Sequence, residues 1–124
     1  MTATTVTLWA AVFVIGGVGS VLRFVVDRIV SARMAGSFPY GTLAVNLSGA
    51  LLLGVLSGLA LGPLLALLTS TAFVGAYTTF STWMLETQRL SEERQLLPAV
   101  ANIVVSLVLG LAAAWLGLWI GGRL

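Results

Sequence analysis

Only ten of the chain's 124 residues carry a charge: six Arg, no Lys, one Asp and three Glu. With 59% hydrophobic residues and a mean hydropathy of +1.08, the chain falls outside the soluble globular class, in which roughly a quarter of positions are charged. Cys and His are absent, which excludes disulfides, thiolate sites and the usual zinc or haem ligands. The pI near 10 reflects two surplus Arg among few charges and gives no reason to expect a nucleic-acid surface.

The charges are confined to short segments. Residues 1–22, 34–85 and 95–122 carry none. A helix needs roughly 20 apolar residues to cross a bilayer, so the outer two stretches fit one crossing each and the middle one fits two, divided at Gly62-Pro63 because Pro ends a helix. The expectation is an all-α membrane protein of four transmembrane helices, a single unit spanning residues 1–124, multi-pass in the cell inner (plasma) membrane. Helix 1 is predicted at residues 6–26. With no basic side chain among residues 1–9, it is expected to stay as a span rather than act as a cleaved signal. Helix 2 is predicted at 40–61, helix 3 at 64–89 and helix 4 at 96–120, with polar loops at 27–37 and 86–95. Trp9, Trp115 and Trp119 fall at one membrane face as an aromatic belt. Gly54, Gly58 and Gly62, Gly16 and Ser20, and Ala113, Gly117 and Gly121 form small-xxx-small rows that let helices pack closely in lipid.

Arg28, Arg33, Arg89 and Arg94 lie on the side of the two polar loops, and Arg123 alone on the side of the termini. The positive-inside rule then puts the loops in the cytoplasm and both termini outside.

Helix 3 is unusual. Thr69, Ser70, Thr71, Tyr77, Thr78, Thr79, Ser81 and Thr82 crowd its middle, and Gly75 followed by adjacent threonines weakens helicity. A break near residues 75–79, close to the midplane, is predicted, tolerated there only if it is buried in protein or lines a cavity. Freed carbonyls at such a break can ligate a cation. Asn46 on helix 2 lies at similar depth, as do Asn102 and Ser106, which share one face of helix 4. Asn46 alone is equally explained by a polar clamp between helices; together the three helices favour a polar pathway. No span carries a carboxylate in its middle, so proton-coupled exchange and organic-cation transport lack their usual group. A small anion, held by a track of hydroxyl and amide donors with Arg23 at a mouth, is the better match.

The runs Gly16-Gly17-Val18-Gly19-Ser20-Val21-Leu22-Arg23, Gly41-Thr42-Leu43-Ala44-Val45-Asn46-Leu47-Ser48-Gly49 and Gly75-Ala76-Tyr77-Thr78-Thr79-Phe80-Ser81-Thr82 strongly resemble the Fluc (CrcB) fluoride channels, across the whole chain in length, span number and motif order. The resemblance implies an antiparallel (inverted) dimer, two narrow fluoride pores and a structural Na+ at the dimer interface, ligated by the backbone carbonyls of Gly75 and Thr78. It implies that Phe80 and position 83 form an aromatic box whose ring edges face fluoride, and that Asn46 donates at the pore. Thr79, Ser81, Thr82 and Ser106 add hydroxyls, Arg23 steers anions in a vestibule, and Glu86 acts at a pore mouth. Three positions depart from the family pattern. Trp83 replaces a Phe, adding bulk and an N–H donor; Asn102 stands where a Tyr is often found; and Gly110 interrupts the hydroxyl track.

The expected function is passive fluoride export from the cytoplasm. An antiparallel homodimer requires one sequence to insert both ways, and the four-to-one Arg bias leaves open a heterodimer of homologous subunits with fixed opposite orientations, one pore being degenerate. A four-span multidrug exporter competes in size, but it would need a carboxylate inside helix 1, where only Arg23 precedes Asp27. In a non-conducting structural subunit the polar residues would serve packing alone. An enzyme is the weakest alternative, since no His, Cys or acid pair is available for acid–base or nucleophilic work.

Overall fold

The computed structural model describes all 124 residues and is entirely helical. Four helical spans are long and apolar enough to cross a membrane: Ala3–Arg33, Tyr40–Gly58, Pro63–Glu92 and Leu96–Gly121. The first is α1 (Ala3–Arg33), begun by the Thr2 hydroxyl, which accepts the Thr5 N–H. It runs beyond the expected end at Val26 because no Gly or Pro interrupts residues 27–33, and it ends where Met34 turns extended, φ −108° and ψ 133°. The Ser31 hydroxyl donates back to Asp27 Oδ1 at 3.1 Å, and the turn comes only at Gly36, with φ at +95°. At 31 residues, α1 is about 46 Å long, more than the ~30 Å hydrocarbon layer, so its charged last turns project beyond the apolar zone.

α2 (Tyr40–Gly58) ends sooner than the expected Leu61, since Ala60 takes a left-handed conformation, φ +51°. Gly62 and Pro63 then open the third span, with Pro at the first helical position. That span is assembled from α3 (Pro63–Ala66), a π-helical stretch (Leu67–Val74), α4 (Gly75–Tyr77) and α5 (Ser81–Glu92). α6 (Leu96–Gly121) completes the bundle. The Ser37 hydroxyl donates to the Gln95 side-chain carbonyl, tying the two polar loops together at one end.

α2 is the centre of the bundle. One of its faces meets α6 along a glycine seam. A Cβ on Gly54 would lie 2.2 Å from the Ala114 carbonyl, and one on Gly117 would lie 2.2 Å from the Leu51 carbonyl; these helices therefore touch backbone to backbone. Gly62, third in the predicted row, has no neighbour within 4 Å. The other side of α2 receives α1 and the third span. There Gly19 of α1 lies against the Phe73 carbonyl of the π-helical stretch, where a Cβ would approach to 2.6 Å. Most large apolar side chains of α1 and α6 point outward, among them Phe13, Phe24, Leu111 and all three belt tryptophans, as lipid-facing surfaces do.

Candidate functional site

Helical bonding fails in the third span at Thr78. Its N–H and its hydroxyl both donate to the Val74 carbonyl, at 3.0 and 3.1 Å, and its backbone is extended, with φ −78° and ψ 162°. In an uninterrupted helix the Thr79 N–H would close on the Gly75 carbonyl. Instead it donates to Asn46 Oδ1 at 2.8 Å, while Asn46 Nδ2 donates to the Thr79 carbonyl, also at 2.8 Å. One amide side chain thus satisfies both backbone groups of a buried residue, leaving one Asn46 amide hydrogen uncommitted. The Thr79 hydroxyl accepts the Thr82 N–H at 3.2 Å and starts α5. Gly49 lets α2 approach this point closely, for a Cβ there would meet Thr78 Cγ2 at 2.2 Å.

Gly75 itself is helical, and the non-helical residues are Thr78, Thr79 and Phe80. The carbonyls of Gly75 and Thr78 receive no backbone N–H. Gly75 is exposed and would meet nothing within 4 Å if given a Cβ. Thr78 is half-buried; two uncharged oxygens lacking backbone donors suit a hard cation that binds neutral oxygen ligands.

Two cavities border Thr79. The first, about 360 Å³, is lined by Asn46, Thr78, Thr79, Phe80, Trp83, Ser106 and Gly110 with surrounding apolar residues. The second, about 200 Å³, brings together Arg23, Asp27, Thr42, Thr79 and Thr82. The Asn46–Thr79 clamp therefore sits where a cavity lined by Arg23 and Asp27 meets one lined by Phe80, Trp83 and the Ser106 side chain. Phe80 is 70% exposed, and its ring lies 5.7 Å from that of Trp83 at 84°, edge to face. Ser81 is exposed and lines neither cavity.

The extra donor brought by Trp83 is already engaged: its indole N–H gives to the Asn102 backbone carbonyl at 3.0 Å. Asn102, 1% exposed, returns the contact, its Nδ2 donating to Thr87 Oγ1 at 2.9 Å and to the Trp83 carbonyl at 3.4 Å. Thr87 does not stand out in the sequence, although its spacing of four from Trp83 puts both on one helix face. Thr42 escapes sequence reasoning likewise. Buried, its hydroxyl donates to the Glu86 carboxylate, joining α2 to α5 above the Arg23 cavity. Glu86 also lines a further cavity with Asp27, Ser37 and Arg89 beneath the polar loops.

Residues 10–118 match the family model described as "CrcB-like protein, Camphor Resistance (CrcB)". The chain belongs to the CrcB family. A relative in Mycobacterium bovis named "Fluoride-specific ion channel FluC 2" is 69% identical over 96% of this chain and 94% of its own length. A protein of the same name in Mycolicibacterium paratuberculosis is 71% identical over 92% of the chain and 93% of its own length. More distantly, the Acidobacterium capsulatum protein "Fluoride-specific ion channel FluC" is 38% identical over 94% of the chain and 96% of its own length. CrcB membership, the four spans and relatives named as ion channels describe a multi-pass membrane channel protein rather than an enzyme.

Proposed function

We propose that the chain is a subunit of a passive fluoride-selective channel that exports F- from the cytoplasm, working as an inverted dimer with two pores and a central Na+. The Asn46–Thr79 clamp between the two cavities is the observation that supports this most strongly, together with the names of the relatives. Moving a bare anion into a low-dielectric interior costs tens of kcal/mol in the idealised limit, and each hydrogen bond to a charged group returns about 1.5–3 kcal/mol. Several donors must therefore act in succession. Arg23 concentrates anions at one mouth. The free Asn46 amide hydrogen, the ring edges of Phe80 and Trp83, and the Ser106 hydroxyl then replace water. Trp83 contributes its ring and not its N–H.

The carbonyls of Gly75 and Thr78, repeated by an inverted second copy, give four neutral oxygens for the Na+, which would hold the two copies together. No energy source is needed. Hydrogen fluoride enters neutral and ionises in a less acidic cytoplasm, and a membrane potential of 100 mV, inside negative, drives the trapped anion out with about 2.3 kcal/mol.

The Arg placement favours a second arrangement of the same channel. Four Arg flank the loops and one flanks the termini, a bias that fits one fixed orientation and hence pairing with a homologous subunit of opposite orientation. Efflux of fluoride from liposomes holding the purified chain, followed with a fluoride electrode beside a chloride control, tests the channel. A stable dimer of the chain alone that conducts fluoride excludes the need for a second subunit.

A further inference from the structure

Two buried polar atoms find no hydrogen-bond partner within the protein, Asn102 Oδ1 and Ser106 Oγ, and they belong to residues one turn apart on the same face of α6. The orientation of the Asn102 amide is dictated by its neighbours. The Thr87 hydroxyl gives its hydrogen to the Trp83 carbonyl at 2.9 Å, so it accepts from Asn102 Nδ2 at 2.9 Å, and that nitrogen also lies 3.4 Å from the Trp83 carbonyl. Turning the amide over would set its oxygen against the Trp83 carbonyl and would require the Thr87 hydroxyl to give up its bond to that carbonyl. The carbonyl oxygen of Asn102 therefore points away from α5 and is left without a donor. With Asn102 only 1% exposed within one subunit, no side chain of a second subunit can reach it. An orphaned acceptor at such depth costs free energy that buried water ordinarily relieves.

We propose that a resident water molecule bridges Asn102 Oδ1 and Ser106 Oγ, donating one hydrogen to each. The Ser106 oxygen is then an acceptor of the water's hydrogen, and its own hydroxyl hydrogen is directed away from the water, into the 360 Å³ cavity that Ser106 lines beside Phe80 and Trp83. An amide oxygen facing an anion path would repel the anion; masked by this water, it instead fixes Ser106 as a donor. The functional half of this proposal rests on the fluoride-channel assignment, while the water site itself does not. Asn102 is here a positioning residue that acts through Ser106.

The test combines a structure with a double-mutant cycle. In a structure of the full chain at a resolution that shows ordered water, density within hydrogen-bonding distance of both Asn102 Oδ1 and Ser106 Oγ supports the site. A protein donor on Asn102 Oδ1, or no density there, overturns it. In liposomes, Asn102→Leu and Ser106→Ala are each expected to slow fluoride efflux about ten-fold, the worth of one hydrogen bond to an anion. The double variant should be no slower than Ser106→Ala, and Ser106→Thr should restore the rate. Additive losses overturn the relay and make Asn102 purely structural. Should Asn102→Leu fail to fold, comparing Ser106→Ala with Ser106→Thr in fluoride against chloride decides: an equal loss in both variants overturns the donor role. Wild-type chain that conducts no fluoride but shows the bridging density contradicts the channel assignment and supports the water site.

Discussion

The two faces of α2 solve opposite problems. Toward α6, Gly54 and Gly58 meet Gly117 and Gly121 so closely that no Cβ fits, and no side-chain hydrogen bond is involved. Facing the third span, a single amide reaches across to Thr79, and cavities remain on either side. In lipid there is no hydrophobic drive to bring helices together, so close backbone packing must hold the bundle. The glycine seam supplies that rigidity. It allows the other face to keep a broken helix and open space, which dense packing would abolish. On the proposed function the glycine seam serves stability alone, whereas Asn46 serves both stability and conduction, and substitutions should separate the two faces.

The largest effect is expected at the seam. Gly54→Leu or Gly117→Leu drives a side chain into backbone atoms that would lie only 2.2 Å from its first carbon, and overpacking of about 1–3 kcal/mol is the lower bound for such a change. Loss of monodisperse protein on size-exclusion chromatography is the expected outcome; a normal profile with a normal melting temperature would show that the helices can move apart. Asn46→Leu comes next. It leaves the N–H and C=O of Thr79 unpaired, at about 1–3 kcal/mol each, so both the melting temperature and the fluoride efflux rate should fall, the latter ten-fold or more. Unchanged efflux would remove Asn46 from the pathway. Trp83→Phe loses one hydrogen bond, about 1 kcal/mol, and keeps an aromatic edge against Phe80. A small drop in melting temperature is expected, with efflux retained within a few-fold. Gly110→Ala should be the mildest for stability, because nothing lies within 4 Å of the new methyl and Ala exceeds Gly in helix propensity by about 0.8–1 kcal/mol. Its melting temperature should not fall, in contrast to that of Gly54→Ala.

How much of this is legible in the sequence follows from the kind of interaction. Hydropathy and charge placement locate all four spans, because a 20-residue apolar run is a long, redundant signal. The ends are less legible. Asp27 to Arg33 read as a loop from their charges, yet a helix leaving the bilayer tolerates charge and ends only where Met34 turns extended. Glycine rows announce close packing but not which rows meet: Gly54 and Gly58 face α6, whereas Gly62 faces nothing. Of the candidate site residues, Asn46, Thr78, Thr79, Phe80, Trp83 and Ser106 line one cavity, and Arg23 and Thr82 share another at Thr79, while Ser81 stands apart from both. What spacing does not disclose is the partner of each polar group. The engagement of the Trp83 indole by a backbone carbonyl and the orphaning of the Asn102 oxygen arise from tertiary contact between α5 and α6, for which no local pattern exists.

On the proposed function, the Asn46 face of α2 and the broken third span conduct fluoride. The most direct test of this is electrode-monitored efflux from liposomes containing the purified chain, alone and together with a homologous subunit of opposite orientation. Rapid fluoride release with negligible chloride release, abolished or strongly slowed by Asn46→Leu, is the predicted result. Absence of fluoride efflux in both preparations, or chloride release at the same rate as fluoride, would contradict it.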